Sequence, residues 1–313
     1  MSHLMPELPE VETIKNDLSA KILRKKITAL ELVNKGSVRL TNDFPKKIVQ
    51  AFFVEINRKG KLLIFKLSGG DYLLIHLKMT GQLIYQEKKT GKKDLVIGGG
   101  HGQTVEDLPN RHTRIILRFI DGSILYFNDL RKFGYWQLVD ETSLQIILDK
   151  YGPEPLEKEL APLENAIGGA SLFRRHNSLM GFTKKYLQNI FQKTSRIIKA
   201  VLLDQGLIAG IGNIYADEIL FASAVRPDRR AASLSEKEIE AIWQNSKTII
   251  KNAIKYRGTT FNNYRDAEGR KGNYVQKLKV YGRKNSKCLR CGHQIIKQKI
   301  AGRGTHYCEW CQK

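Results

Sequence analysis

The chain has 313 residues, 42% of them hydrophobic, which is enough for two or three domains with buried cores and excludes a chain disordered throughout. Its 53 lysines and arginines exceed its 31 aspartates and glutamates by 22 charges, which favours a nucleic-acid partner but leaves open a basic proteome, a ribosomal role or a membrane surface. No apolar run approaches the roughly 18 residues of a membrane span, and the N-terminus lacks the hydrophobic stretch of a signal peptide.

The chain opens MSHLMPELPEVETI, with a second methionine, Met5, directly before Pro6 and Glu7. Methionine before a small residue such as proline is a site that processing can trim. If the mature chain began at Pro6, its nitrogen would be a free amine beside a carboxylate. If it began at Met1, the same nitrogen would be an imide whose lone pair is delocalised into the carbonyl. These alternatives separate an enzyme from a silent binding protein.

An amphipathic helix and then a β-rich region are predicted next. Val11, Ile14, Leu18 and Ile22 recur at helical spacing, so a helix should follow Pro9. Segments rich in β-branched and aromatic residues then alternate with turns such as NRKG, SGGD and IDGS; they are KIVQAFFVEI, KLLIFKL, DYLLIHL, QLIYQ, RIILRFI, SILYF and GYWQLV. We predict seven or eight strands in a two-sheet sandwich that ends near residue 150.

The second half of the chain reads as helical. KYGPEPLEKELAPLE carries three prolines and is interpreted as a linker. SLSEKEIEAIWQNSKTIIKNAIKYRG predicts one clear helix, with Ser235 and Glu238 as a capping box and Gly258 as its stop. The basic tail from about Leu278 carries every cysteine. We therefore predict three domains, at residues 5–152, 153–277 and 278–313.

Four cysteines in the last 26 residues form the most specific pattern. Cys288 and Cys291 are followed, after 16 residues, by Cys308 and Cys311, a spacing typical of a four-thiolate tetrahedral Zn²⁺ site in a reducing cytoplasm. One structural zinc is expected. The stretch between the pairs should form a β-hairpin with its turn at 301–304, which would project a cation into solvent or onto a phosphate.

The segment LLDQGLIAGIGNIYADEILFASAVRPD resembles two helices around a glycine-rich turn. Glycines should end the first helix and Asn213 should cap the second, leaving backbone N–H groups exposed at a helix start, which is an anion site. Lys193 and Lys199 lie just upstream. Many helical hairpins turn on glycine and asparagine, so a purely structural turn stays open.

Two further turns carry side chains suited to DNA. HLKMTG presents Met79 and NDLRKFGYW presents Arg131 and Phe133, which together could wedge between base steps and fill the gap of an extruded base. Each residue taken alone fits core packing better than a wedge. Lys61, in the turn NRKGKLL, would be an ordinary solvated lysine unless that turn faces a catalytic amine.

These pieces occur together in one family. PELPEVE, RKGKLL, HLKMTG, DLRKFG, GPEPL, AGIGNIYADE, VYGR and the cysteine tail stand in the order found in bacterial formamidopyrimidine-DNA glycosylases, which the chain resembles from Met5 to Lys313. The resemblance implies an α+β multidomain, bilobed protein: a catalytic β-sandwich with a flanking helix, a helix–two-turn–helix domain and a zinc-finger hairpin around bent duplex DNA. It implies a monomer that excises oxidised purines and nicks the strand.

The resemblance also implies roles for individual residues. It makes Pro6 the nucleophile, Glu7 the acid beside it and Glu10 a second nearby carboxylate. Lys61 matches the proton donor of β-elimination, and Arg303 the arginine of δ-elimination, which also holds phosphate. The DNA-contacting positions are His112, Arg131, Lys193 and Asn213, and the gap-filling residues are Met79, Arg131 and Phe133.

Two features depart from the family pattern. MSHL precedes Met5, and we interpret it as an upstream start or an added remnant. The loop at 86–110 looks roughly ten residues longer than usual, and we expect a solvated insertion. Two alternatives remain: an endonuclease VIII-like glycosylase for oxidised pyrimidines, against which PELPE and the gap-filling trio weigh, and a silent damaged-DNA-binding protein if the extension is real.

Overall fold

A computed structural model describes residues 5–33, 38–39, 43–88, 95–96, 108–156, 181–259 and 273–313. The chain divides into two compact units, one of residues 1–146 with 254–275 and the other of residues 147–253 with 276–313. Within the described ranges, no helix is both long and apolar enough to cross a bilayer. The predicted three-domain division stays a prediction.

The first unit opens with helix α1, Leu8–Ile22. Its four periodic apolar residues, Val11, Ile14, Leu18 and Ile22, are all buried, as predicted. Proline in the first turn suits the helix because the N–H it lacks would have no partner inside the helix. The apolar stripe packs into the core of a β-sandwich, so α1 is fixed against the sheets along its length.

Two five-stranded sheets form that sandwich, which confirms the predicted fold class. One has the order β1-β8-β9-β6-β7 and the other β2-β10-β5-β4-β3, and the pairings are antiparallel apart from β2 with β10. The strands are β1 Ile27–Leu32, β2 Val38–Arg39, β3 Phe53–Lys59, β4 Leu62–Leu67, β5 Tyr72–His76, β6 Gly81–Gln86, β7 Leu95–Val96, β8 Thr113–Phe119, β9 Ile124–Asp129 and β10 Tyr135–Val139. Aromatic side chains such as Phe53, Phe127 and Trp136 fill the space between the sheets.

Sequence patterning misjudged the first strands. In the KIVQ part of the first predicted strand, Lys47 and Ile48 belong to a short helix, α2, Phe44–Ile48, and Val49 is its C-cap. This helix buries Phe44 and Ile48 and contains a proline in its first turn. Strand β1, Ile27–Leu32, was not predicted, because ITALEL is only half buried and its apolar signal is weak. It pairs with β8 across about 90 residues of sequence, a contact that local pattern does not report.

The remaining helices of the described ranges are α3 Glu141–Leu148, α4 Lys184–Gln192, α5 Ile198–Leu203, α6 Asn213–Ala222 and α7 Glu236–Lys255. They are followed by the hairpin β11 Ile296–Ile300 and β12 Arg303–Tyr307. The capping box at the start of α7 is confirmed: the Ser235 N–H donates to Glu238 Oε2 at 2.8 Å. The chain leaves α7 through Arg257 and Gly258, both at positive φ, as a glycine stop requires.

The predicted linker is packed where the structure describes it. A Cβ on Gly152 would lie 2.2 Å from the Leu207 carbonyl oxygen, and the Ala209 N–H donates to the Pro153 carbonyl at 3.1 Å. Glu154 is buried as well. The GPEP portion is therefore part of the helical unit, while residues 157–180 lie outside the described ranges.

Candidate catalytic centre and nucleic-acid interface

The start of α1 is held by a carboxyl group one turn further on. The Glu7 N–H donates to Glu10 Oε2 at 3.0 Å, and Glu10 Oε1 accepts from the Thr259 N–H at 2.7 Å and hydroxyl at 3.0 Å. A Cβ on Gly258 would lie 2.6 Å from that same Oε1, so the close approach requires glycine. Pro6 and Glu7 are buried within this arrangement. Glu10 thus fixes the backbone that presents the predicted nucleophile.

Lys61 is buried rather than solvated, which corrects the ordinary expectation for a turn lysine. It is 4% exposed in the turn between β3 and β4. Arg58, from the same hairpin, donates through Nε to Glu12 Oε2 at 2.8 Å and through Nη1 to the Gly60 carbonyl at 3.1 Å. Because Glu12 lies on α1, this ion pair fixes the Lys61 turn to the helix whose N-cap is Glu7.

Met79, Arg131 and Phe133, predicted as a trio from two separate motifs, lie together. Arg131 Nη1 is 3.1 Å from Met79 Sδ, and the Arg131 guanidinium carbon is 4.6 Å from the centre of the Phe133 ring. Phe133 is 55% exposed, which excludes the core-packing alternative for this residue. An exposed ring stacked under a guanidinium is an apolar, cationic surface suited to bases and phosphates.

His112 lies at the start of β8 beside two arginines. Arg111 Nε donates to His112 Nε2 at 2.9 Å, and the His112 carbonyl accepts from the Asp129 N–H at 2.9 Å. Burial lowers the pKa of His112, and the charges of Arg111 and Arg114 lower it further. The ring is therefore neutral at pH 7, so the positive charge here belongs to the arginines.

Asn213 plays a different part from the one predicted. Helix α5 ends at Leu203, well before the glycines, and the cap of α6 is Gly212. Asn213 is the first residue of α6, and its Nδ2 donates to the Gly304 carbonyl at 2.9 Å, while its Oδ1 is buried without a partner. The side chain joins the α6 start to the hairpin instead of capping the helix.

The hairpin turn is tighter than predicted. Ile300 pairs with Arg303, so only Ala301 and Gly302 form the turn, both with positive φ as a two-residue type I′ turn requires. Arg303 is exposed at the first position of β12, directly before the Gly304 that Asn213 contacts. Lys193, exposed at the end of α4, belongs to the same unit.

Lys199 is not available for phosphate, contrary to the sequence interpretation. It is fully buried, and its Nζ donates to Asp217 Oδ1 and to Thr305 Oγ1, both at 2.6 Å. Asp217 Oδ2 also accepts from the His306 N–H at 2.8 Å. This pair ties α5 and α6 to strand β12, one residue beyond Gly304.

We expect Lys199→Met to lower the free energy of unfolding by about 3–5 kcal/mol, because Asp217 would be left as an uncompensated buried charge. The measurement is chemical denaturation of the wild type and the variant. A double variant that adds Asp217→Asn should recover part of the loss, since asparagine still accepts from the His306 N–H. An unchanged stability with weaker DNA binding would instead assign Lys199 to phosphate.

The four cysteine sulfurs lie at the distances expected for a tetrahedral zinc site. Cys288 Sγ lies 3.8 Å from Cys311 Sγ and Cys291 Sγ lies 3.5 Å from Cys308 Sγ, with all four within 4.8 Å of one another. A tetrahedral Zn²⁺ with Zn–S bonds of about 2.3 Å places its sulfurs about 3.8 Å apart, so the set fits. The four cysteines would hold the ion, which would supply a structural cross-link.

The thiols differ in how readily they ionise. Burial raises the pKa of the Cys308 and Cys311 thiols. At Cys288 burial acts in the same direction, but the N–H groups of Arg290 and Cys291 outweigh it and lower the pKa to about 7. A cation is therefore needed to hold four thiolates this close together.

Sequence reasoning missed the buried supports of these residues. Neither the Lys199–Asp217 pair nor the bond from Asn213 to Gly304 leaves a local signature, since the partners are about 20 and 90 residues apart. The MSHL extension and most of the 86–110 loop, residues 89–94 and 97–107, lie outside the described ranges.

Three family models match the chain in order. The formamidopyrimidine-DNA glycosylase N-terminal domain matches residues 5–136, the H2TH domain of the same enzyme matches residues 176–264, and a zinc finger found in FPG and IleRS matches residues 285–313. The first match begins at Met5, and the third contains all four cysteines.

Similarity also extends over whole chains. The formamidopyrimidine-DNA glycosylase of Carboxydothermus hydrogenoformans is 39% identical over 311 residues, covering 99% of this chain and 100% of its own. Lactococcus lactis Fpg in complex with abasic-site DNA aligns with a TM-score of 0.81 and 29% identity, over 98% of this chain and 99% of that one. L. lactis Fpg in complex with a Fapy-dG containing DNA aligns with a TM-score of 0.80 and 29% identity, over 98% of this chain and 100% of that one. The chain belongs to the formamidopyrimidine-DNA glycosylase family.

Proposed function

We propose that this protein is a bifunctional DNA glycosylase and AP lyase of base excision repair, which removes oxidised purines such as 8-oxoguanine and formamidopyrimidines and then nicks the strand. The observation that carries the proposal is the buried Pro6–Glu7 pair at the start of α1, with the Lys61 turn fixed to the same helix by Arg58. Family membership supports the same activity.

The proposed partner is double-stranded DNA that contains oxidised bases or abasic sites, since L. lactis Fpg was solved with abasic-site DNA and with Fapy-dG DNA. The net charge of +22 supports this, because a cationic surface offsets phosphate charge and makes binding weaken with salt. We propose that it works as a monomer in the bacterial cytoplasm, at the nucleoid.

The proposed first step is attack of the Pro6 nitrogen on the sugar C1′. The glycosidic bond breaks, and the base leaves with its electron pair and a proton. The C1′–O4′ bond then breaks, the N–H proton passes to O4′, and the nitrogen becomes part of an iminium ion on C1′. An iminium ion formed from a secondary amine is cationic without needing a proton. An α-amino pKa near 8 leaves part of it as free base at neutral pH, whereas a lysine near 10.4 would need a large shift.

The iminium ion then acts as an electron sink. It acidifies the C2′–H, and loss of that proton expels the 3′ phosphate; repetition at C4′ expels the 5′ phosphate. We propose that Glu7 shuttles protons at the sugar and that Lys61 serves as the proton donor of the first elimination. Arg303 is proposed to hold a phosphate and to promote the second elimination, beside the Asn213 contact to Gly304.

Extrusion of the damaged base leaves a gap in the duplex, which we propose is filled by the gap-filling trio Met79, Arg131 and Phe133. Their mutual contacts and the exposure of Phe133 support this role. His112, Lys193 and Asn213 are proposed to contact the DNA backbone. One Zn²⁺ per chain is proposed at Cys288, Cys291, Cys308 and Cys311.

The function is tested by excision from matched duplexes that contain one 8-oxoguanine or one thymine glycol. We expect faster release of 8-oxoguanine. Faster release of thymine glycol would assign the protein to oxidised pyrimidines, and binding to both duplexes without release from either would make it a silent damaged-DNA-binding protein. The chain used must begin at Pro6, so that the Pro6 nitrogen is a free amine.

Arg303→Ala should shift the products of strand nicking. With the guanidinium removed, the second phosphate should leave more slowly, so the β-elimination product should accumulate at the expense of the β,δ-product. The measurement is a sequencing gel of end-labelled abasic-site DNA, with Arg290→Ala, on the same finger, as the matched control. An unchanged product ratio would remove Arg303 from the mechanism.

A further inference from the structure

One buried carboxyl group, that of Asp129, joins the two turns that carry the gap-filling trio. Its Oδ1 accepts from the Thr80 hydroxyl and from the Arg131 N–H, the latter at 3.2 Å, and its Oδ2 accepts from the Gly134 N–H at 2.7 Å. Thr80 Oγ1 also accepts from the Arg131 N–H, at 3.0 Å. Asp129 is fully buried and Thr80 is 6% exposed, so water does not compete for these bonds.

Each member of the trio lies one or two positions along the chain from Asp129 or from a residue that is hydrogen-bonded to it. Met79 directly precedes Thr80, and Arg131 and Phe133 lie between Asp129 and Gly134. The turn that carries Arg131 and Phe133 is also packed closely at its end, since a Cβ on Gly134 would lie 2.8 Å from the Phe127 ring. By holding the backbone of both turns, the Asp129 carboxyl group therefore fixes the positions from which the Met79, Arg131 and Phe133 side chains extend.

We propose that Asp129 and Thr80 are positioning residues that hold the two turns as one preformed wedge. The proposal rests on the proposed insertion of the trio into DNA. Inserting side chains into a base stack requires neighbouring bases to unstack, which costs free energy at every step. Turns that also had to become ordered would add a conformational entropy cost, which a preformed arrangement avoids. The hydrogen bonds made by Asp129 and Thr80 are thus proposed to lower the cost of distorting the DNA and to have no part in bond breaking.

The test compares Thr80→Val with Thr80→Ser. Valine keeps the shape but removes both bonds made by the hydroxyl, whereas serine keeps them. For single-turnover excision from a duplex lesion, we expect a loss of about tenfold with valine, the effect of one or two hydrogen bonds, and near wild-type rates with serine. Nicking of a single-stranded abasic site, which needs no unstacking, should change by less than about twofold.

A double-mutant cycle separates positioning from a general loss of stability. If Thr80 acts through the wedge, Thr80→Val should have little further effect in a Phe133→Ala background, whereas independent effects would add. The direct readout is 2-aminopurine placed opposite an abasic analogue, whose fluorescence rises when the stack is opened. The wild type and Thr80→Ser should give this rise, and Thr80→Val a smaller one.

Additive losses in the cycle, equal losses on duplex and single-stranded substrates, or a full fluorescence rise with Thr80→Val would each overturn the proposal. Absence of the rise in the wild type would also overturn it, since no wedge would then enter the DNA. The proposed function and the positioning role can fail separately. If the 2-aminopurine fluorescence rises normally and the double-mutant cycle, measured on DNA binding, is non-additive, the positioning role stands. If the same protein then neither excises a base nor forms a covalent adduct, the proposed function is overturned.

Discussion

Chains whose Pro6 nitrogen is free should form a borohydride-stable adduct with lesion DNA, and chains in which any residue precedes Pro6 should form none. With Met5 or MSHLM attached, the nitrogen is an imide whose lone pair is delocalised into the carbonyl, and no change of surroundings restores its nucleophilicity. Met5 would also stand directly against that nitrogen, where the proposed attack requires the sugar C1′ to approach. The active form is therefore expected to begin at Pro6.

The measurement is mass spectrometry of the trapped adduct for chains that begin at Met1, Met5 and Pro6. Pro6→Gly, which keeps a terminal amine, should retain some lyase activity, and Glu7→Gln should bind lesion DNA but lose glycosylase activity. Trapping rates of the Pro6 chain should rise with pH as the amine loses its proton and becomes nucleophilic. An adduct formed equally well by the chain with intact MSHLM would show that the nucleophile is another group.

Removal of zinc should unfold the β11–β12 hairpin and greatly weaken DNA binding. The apolar cluster under the finger is small, with Phe221, Val280 and Ile295 as its main non-cysteine members. Structural zinc in small fingers contributes about 10–16 kcal/mol at pH 7, which is as large as the stability of a typical domain. Without the ion, the segment that carries Arg303 cannot hold its position beside Asn213.

Metal analysis should give one zinc per chain, and chelation should release it with a loss of hairpin structure in circular dichroism. Arg303→Ala is the matched control, because it removes the phosphate contact while the hairpin stays folded, so its loss of affinity should be the smaller one. A metal-free chain that binds lesion duplex as tightly as the untreated protein would contradict the prediction.

Local signals were sufficient for several elements. The spacing of Val11, Ile14, Leu18 and Ile22 predicted the buried face of α1, and Ser235 with Glu238 predicted the start of α7. Helix periodicity and capping depend on residues three or four positions apart, so they can be predicted from short stretches of sequence. The cysteine spacing predicted the cluster of four sulfurs that could hold a metal ion, and the order of the motifs indicated the family.

Tertiary structure alone decided the surroundings of each side chain. Lys61 and Lys199 look alike as basic residues in the sequence, yet Lys61 is buried in a turn that Arg58 ties to α1, and Lys199 is paired with Asp217 inside the helical unit. The physical reason is that burial and hydrogen bonding depend on partners far away in the chain, as with Thr80 and Asp129, which are 49 residues apart. The sequence by itself indicated the family, through the order of its motifs, and long-range contacts decided the surroundings of its charged side chains.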